Sequence, residues 1–137
     1  MENLSLTLNT GSIKVPVINE NGRQLGELEF IPTDVAILER YSAVIDALNA
    51  ASFSDEPTES EIVAFDHLIR EQLDVLFNYP VSESLFSQCS PLTVLSNGDL
   101  FYENVLVGVA GIIEKIMHER VEKKLAKVRK ATAKYHK

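Results

Sequence analysis

The first thirty residues alternate apolar and polar positions. Leu4, Leu6 and Leu8 are separated by Ser5 and Thr7, and Ile13, Val15 and Val17 by Lys14 and Pro16. A period of two places every second side chain on one face of an extended chain, so both stretches are predicted as half-buried strands. Asn21-Gly22 then separates the second strand from a third, Gln24 to Ile31, in which Leu28 and Phe30 share a face. Both turn residues tolerate positive φ, which suits a tight hairpin. Pro16 has no amide donor and belongs on an edge or at a bulge. The sheet is therefore expected to be small.

The period changes after Pro32-Thr33-Asp34, a helix-start signal. Val35, Ile37, Leu38, Tyr41, Val44, Ile45 and Leu48 follow at three-to-four spacing, the pattern of one apolar stripe on a helix. Thr58 and Glu61 form a capping-box pair ahead of a second helix running to about Asn78, with Ile62, Phe65, Leu68, Ile69, Leu73, Leu76 and Phe77 as its stripe and Pro80 beyond its end. Between Val81 and Gly98 the pattern is mixed, with a short helical turn predicted over Ser84 to Gln88 and a loop over Pro91 to Asn97. A long third helix is predicted from Asp99 onward. Its apolar side carries Phe101, Tyr102, Val105, Leu106, Val109, Ile112, Ile113, Ile116, Met117, Val121, Leu125 and Val128. After Met117 that side thins to one apolar residue per turn, so the last turns are expected to leave the core.

The fold class implied is α+β: a short N-terminal antiparallel hairpin sheet followed by a helical body of about three main helices, the last long and basic at its end. At 137 residues the chain fits one domain. Within it, residues 1–31 form the sheet part, 32–118 the helical body and 119–137 a basic amphipathic tail.

Charge sharpens this division. Residues 1–118 hold 18 acidic and 5 basic residues, a net of −13, whereas residues 119–137 hold 2 acidic and 8 basic, a net of +6. Such a tail can seek nucleic acid, an acidic partner or the acidic body of another copy. It can equally be a solvated helix end, whose cations favour the negative pole of the helix dipole. Val121, Leu125 and Val128 flanked by Lys123, Lys124, Lys127, Arg129 and Lys130 form an amphipathic basic face, a common protein-binding device, and these eight residues are the candidate partner site. Nucleic acid is the weaker expectation, since the body is acidic and Tyr135 is the lone aromatic of the tail for base stacking.

Candidate chemistry is sparse. Cys89 is the single cysteine, so disulfides within the chain and thiolate-rich zinc sites are excluded. Its serines and three histidines fall in no nucleophile-elbow motif, and Cys89 with His67 makes no recognisable dyad. Gly108 and Gly111 lie in the third helix, outside any phosphate-loop pattern, and read as small residues that let another helix approach. Glu114, His118 and Glu122 share a helical face, as do His67 and Glu71, but ligands on three successive turns spread over roughly 12 Å at ~1.5 Å per residue and do not close on one ion. Neither an enzyme nor a metal or cofactor is expected. No apolar run reaches the ~18 residues of a membrane span, and Met1-Glu2-Asn3-Leu4 has neither the basic start nor the apolar stretch of a signal peptide, so a cytoplasmic protein is expected.

The order of elements and several phrases resemble a family of small prophage-encoded proteins of Gram-positive bacteria taken to be tail assembly chaperones. The phrases are Phe30-Ile31-Pro32-Thr33-Asp34 leading into a helix with Glu39-Arg40-Tyr41, then Ile69-Arg70-Glu71-Gln72-Leu73-Asp74-Val75-Leu76-Phe77, Ser84-Leu85-Phe86 and the lysine-rich end Ala131 to Lys137. Where that family often places a glycine-rich acidic turn after the second helix, this chain has Tyr79-Pro80-Val81-Ser82-Glu83. The resemblance implies a partner, the tape measure protein of a long-tailed phage, kept soluble while tail tube subunits are recruited around it; an acidic body with an amphipathic helical face is compatible with that role, and with a homo-oligomer along the client. Two other roles are weighed beside it: a virion or head-to-tail connector protein forming rings, and a small nucleic-acid-binding regulator using the basic helix.

Overall fold

The computed structural model describes residues 3–51 and 55–133. Two strands, β1 (Ile13–Ile18) and β2 (Gln24–Phe30), pair antiparallel with Val15 opposite Leu28 and Ile13 opposite Phe30. Leu28 and Phe30 are buried and Ile13, Val15 and Val17 half-buried, as their alternation predicts. In the turn, the Asn19 carbonyl accepts from the Gly22 amide at 3.0 Å, and the Asn19 side chain accepts from the amides of Asn21 and Arg23 at 2.9 Å each. Gly22 takes φ +80°, but Asn21 does not share the positive φ expected of it. The loop is a longer turn closed by a glycine, and the register slips between Val17 and Ile18 to accommodate it.

The expected first strand is absent. Leu4, Leu6 and Leu8 belong to no strand and are 90%, 82% and 70% exposed, so the sheet has two strands rather than three. Alternation marks a segment able to bury one face, but among the described residues no neighbouring edge takes it up.

Three helices build the body: α1 (Val35–Ala50), α2 (Glu59–Phe77) and, after the single-turn α3 (Ser82–Leu85), α4 (Phe101–Ala133). Asp34 caps α1 by accepting from the Ala36 amide at 3.0 Å, and Thr58 caps α2 by accepting from the Glu61 amide at 3.2 Å. Asn78 ends α2 in the left-handed conformation, φ 57°, with its amide on the Val75 carbonyl. The Arg40 side chain donates to the Leu76 carbonyl at 2.9 Å, satisfying another of the acceptors that a helix end leaves open. The short helix starts two residues earlier than its sequence suggested because Asp74 holds it. Its carboxylate accepts from the Val81 and Ser82 amides, both at 2.8 Å, and from the Ser82 hydroxyl at 2.9 Å.

One continuous core joins Leu28 and Phe30 of β2, Ile37, Val44 and Leu48 of α1, Phe65, Ile69, Leu73, Leu76 and Phe77 of α2, Val81, Leu85 and Phe86, and Leu106, Val109 and Ile113 of α4. Edge-to-face pairs tie α4 down at its start, Phe65 with Tyr102 at 6.0 Å and Phe86 with Phe101 at 5.9 Å. The predicted stripes are wider than the buried ones. Val35, Leu38 and Ile62 lie on the exposed side of their helices. Gly108 and Gly111 are also exposed, and apart from the adjoining backbone of α4 itself no atom of the described residues would lie within 4 Å of a Cβ at either, so no described helix packs there as expected.

Asp74→Ala removes an ionised acceptor from two backbone amides and a hydroxyl, and is expected to cost about 1–3 kcal/mol, read as a lower urea midpoint. Burial raises the pKa of Tyr41, Tyr79 and Tyr102 above the ordinary 10.0. The fold therefore favours the neutral phenols. Their contribution is intact below the unfolded value and is lost as pH climbs through the folded one. The urea midpoint should hold up to about pH 10 and then fall, with a smaller fall in Tyr79→Phe.

Candidate interaction surface

α4 is 33 residues long, roughly 50 Å at ~1.5 Å per residue. Its positions Phe101, Tyr102, Val105, Leu106, Val109, Ile112, Ile113, Ile116, Met117 and Arg120 are buried or half-buried, whereas every residue from Val121 to Thr132 is exposed. The free part projects roughly 20 Å beyond the last covered turn.

Where α4 crosses α1, the two helices leave an apolar groove of about 470 Å³ lined by Leu38, Tyr41, Ala110, Ile113, Glu114, Met117, His118 and Val121. Tyr41 fixes one wall, its hydroxyl donating to the Leu106 carbonyl at 3.0 Å. On α4 the groove-lining residues Ala110, Met117 and Val121 recur at helical spacing, and Leu125 and Val128 continue the same face. An apolar stripe thus runs without interruption from the groove along the projecting end.

All eight sequence-predicted site residues lie on this projecting end and are exposed: Val121, Lys123, Lys124, Leu125, Lys127, Val128, Arg129 and Lys130. Helical spacing puts Lys124 and Lys127 on one flank of the stripe, Arg129 on the other, and Lys123 and Lys130 on the back. None of these five cations forms an ion pair with a described residue. Val121 alone of the eight reaches the groove, and the sequence reading places Leu38, Tyr41, Ile113 and Met117 in helical stripes and weighs Glu114 and His118 only as metal ligands, without assigning any of them to a partner site. The exposed Leu38 was their signal, since it widens the apolar arc of α1 beyond what one buried stripe needs. The basic end from Lys134 to Lys137 lies outside the described residues.

Arg120, at the boundary between packed and free helix, donates from Nη1 to the Gly11 carbonyl at 2.7 Å and reaches Thr33 Oγ1 at 3.4 Å. Gly11 sits at φ +78°, a conformation that favours glycine, and a Cβ there would stand 2.6 Å from that nitrogen and push the guanidinium aside. The leucine-bearing arm therefore leaves the body beside the point where α4 becomes free.

No group of three or more His, Cys, Asp or Glu side chains converges as a metal site among the described residues. Glu114 and His118 line the groove, but with Glu122 they remain strung along the helix. His67 is exposed, and Cys89 is half-buried with its thiol 3.9 Å from the Ser90 carbonyl oxygen. Cys89 borders a larger and more polar cavity of about 800 Å³ between the hairpin turn and the loop before α4, which also includes Arg23, Asn97 and Asn104. Among the described residues no helix is long and apolar enough to cross a membrane. No protein-family profile, curated protein or solved structure matches the chain.

Arg120→Ala should release the base of the arm. The amide resonances of Gly11, Ser12 and Thr33 are expected to shift together while those of the α2 core stay in place, with a stability loss of about 1–2 kcal/mol.

Proposed function

We propose that this chain is a cytoplasmic assembly chaperone for a long-tailed phage, which binds the tape measure protein, keeps it soluble and helps recruit tail tube subunits around it. The observation that carries this reading is the apolar stripe running from the α1–α4 groove through Leu125 and Val128. A helical client with an apolar face needs an apolar track to lie on, and a groove continued by an amphipathic helix supplies one. The acidic body suits the role, because net charge keeps a complex with an apolar client in solution. The resemblance in element order and in the phrases around Glu39-Arg40-Tyr41 and Ser84-Leu85-Phe86 points the same way. This reading gives the chain no catalytic role, and none of its side chains needs a cofactor.

The test is co-expression with the long helical tape measure protein expected to be encoded nearby, followed by size-exclusion chromatography of the soluble fraction. The client should be insoluble alone and should co-elute with the chaperone, and Leu125→Glu should return it to the insoluble fraction. A client indifferent to the chain, with the chain instead retained in purified virions, would replace the chaperone reading with that of a structural component.

A further inference from the structure

The free end of α4 exposes Val121, Leu125 and Val128 over roughly 17 Å between residues 121 and 132, at ~1.5 Å per residue. Between Ala110 and Val121 the groove offers an apolar track of the same residue length on the same face of the same helix. The two halves are also opposite in charge. Residues 1–118 carry a net charge of −13 and residues 119–137 one of +6, and the five cations from Lys123 to Lys130 are without an ionic partner among the described residues. Glu114 stands in the groove wall, and Glu39 is exposed next to Leu38 on α1.

We infer that a second copy of this chain covers this surface, the free end of each α4 lying antiparallel in the α1–α4 groove of the other. A two-fold axis near Val121 brings each Leu125 over the opposite Met117 and each Val128 beside the opposite Glu114. Lys124 and Lys127 of one copy then flank the apolar groove of its neighbour, near Glu114 in its wall. A parallel pair would instead set the two basic ends side by side. The same patch serves both molecules, the self-complementary arrangement that a two-fold dimer requires. The inference rests on the groove and the charge division, and a client laid on the same stripe would compete with the second copy for it.

Sedimentation velocity of the full chain tests it, with circular dichroism to confirm folding. Leu38 and Leu125 are 46% and 41% exposed, so glutamate at either leaves the core untouched. The chain should be a dimer that weakens with added salt. Leu125→Glu and Leu38→Glu should each raise the dissociation constant on the order of a hundredfold, the cost of burying an unpaired charge. A monomeric wild-type chain overturns the inference. So does a dimer that ignores both substitutions, or one lost on Leu4→Ser/Leu6→Ser/Leu8→Ser, which would assign the contact to the N-terminal arm.

Discussion

The length of α4 relative to the body it packs on is the constraint from which the rest of the structure follows. Leu106, Val109 and Ile113 commit one side of the helix to the core, and Tyr102 and Phe101 anchor its start on Phe65 and Phe86. Helix propagation then carries the chain onward at little cost, because the nucleus is already formed and Glu119, Lys123, Lys124, Lys127 and Lys130 are good helix formers. An isolated helix of that last stretch would be marginal in water. Attached to a packed helix, it stands.

The candidate interaction surface lies mostly along that helix, with Leu38 and Tyr41 of α1 forming the facing wall of the groove. The groove lies beside the bond from the Tyr41 hydroxyl to the Leu106 carbonyl, with Leu38 and Tyr41 of α1 on one side and Ala110 to Val121 of α4 on the other. The free end then extends the groove wall in the same rotational phase, since both belong to one uninterrupted helix. A break between Met117 and Leu125 would rotate the two halves out of line.

Most of the architecture was legible in the sequence, and the failures share one cause. Three-to-four spacing located the three main helices, and the thinning of the stripe after Met117 foretold that the end would leave the core. Leu4, Leu6 and Leu8 misled because periodicity reports what a segment can bury and says nothing of whether a partner edge is present. Val35 and Leu38 misled in the same way, apolar by type but facing outward. The candidate site was half visible. The basic face on α4 is a property of one helix, whereas the groove depends on how two helices separated by half the chain cross, which no local pattern encodes. Asp74 holding Val81 and Ser82 is similarly non-local, and it moved the start of the short helix.

Among the described residues Arg120 is the last of α4 with a hydrogen bond to the body, and that makes it a fulcrum. The free helix beyond it is a rigid rod of roughly 20 Å, so a tilt of about ten degrees at Arg120 displaces the tip by about 3 Å while the packed turns stay still. The same guanidinium grips the base of the N-terminal arm and the chain just ahead of α1. Angular motion of the rod is therefore felt first at Gly11 and Thr33, where three distant stretches of the chain share one pivot.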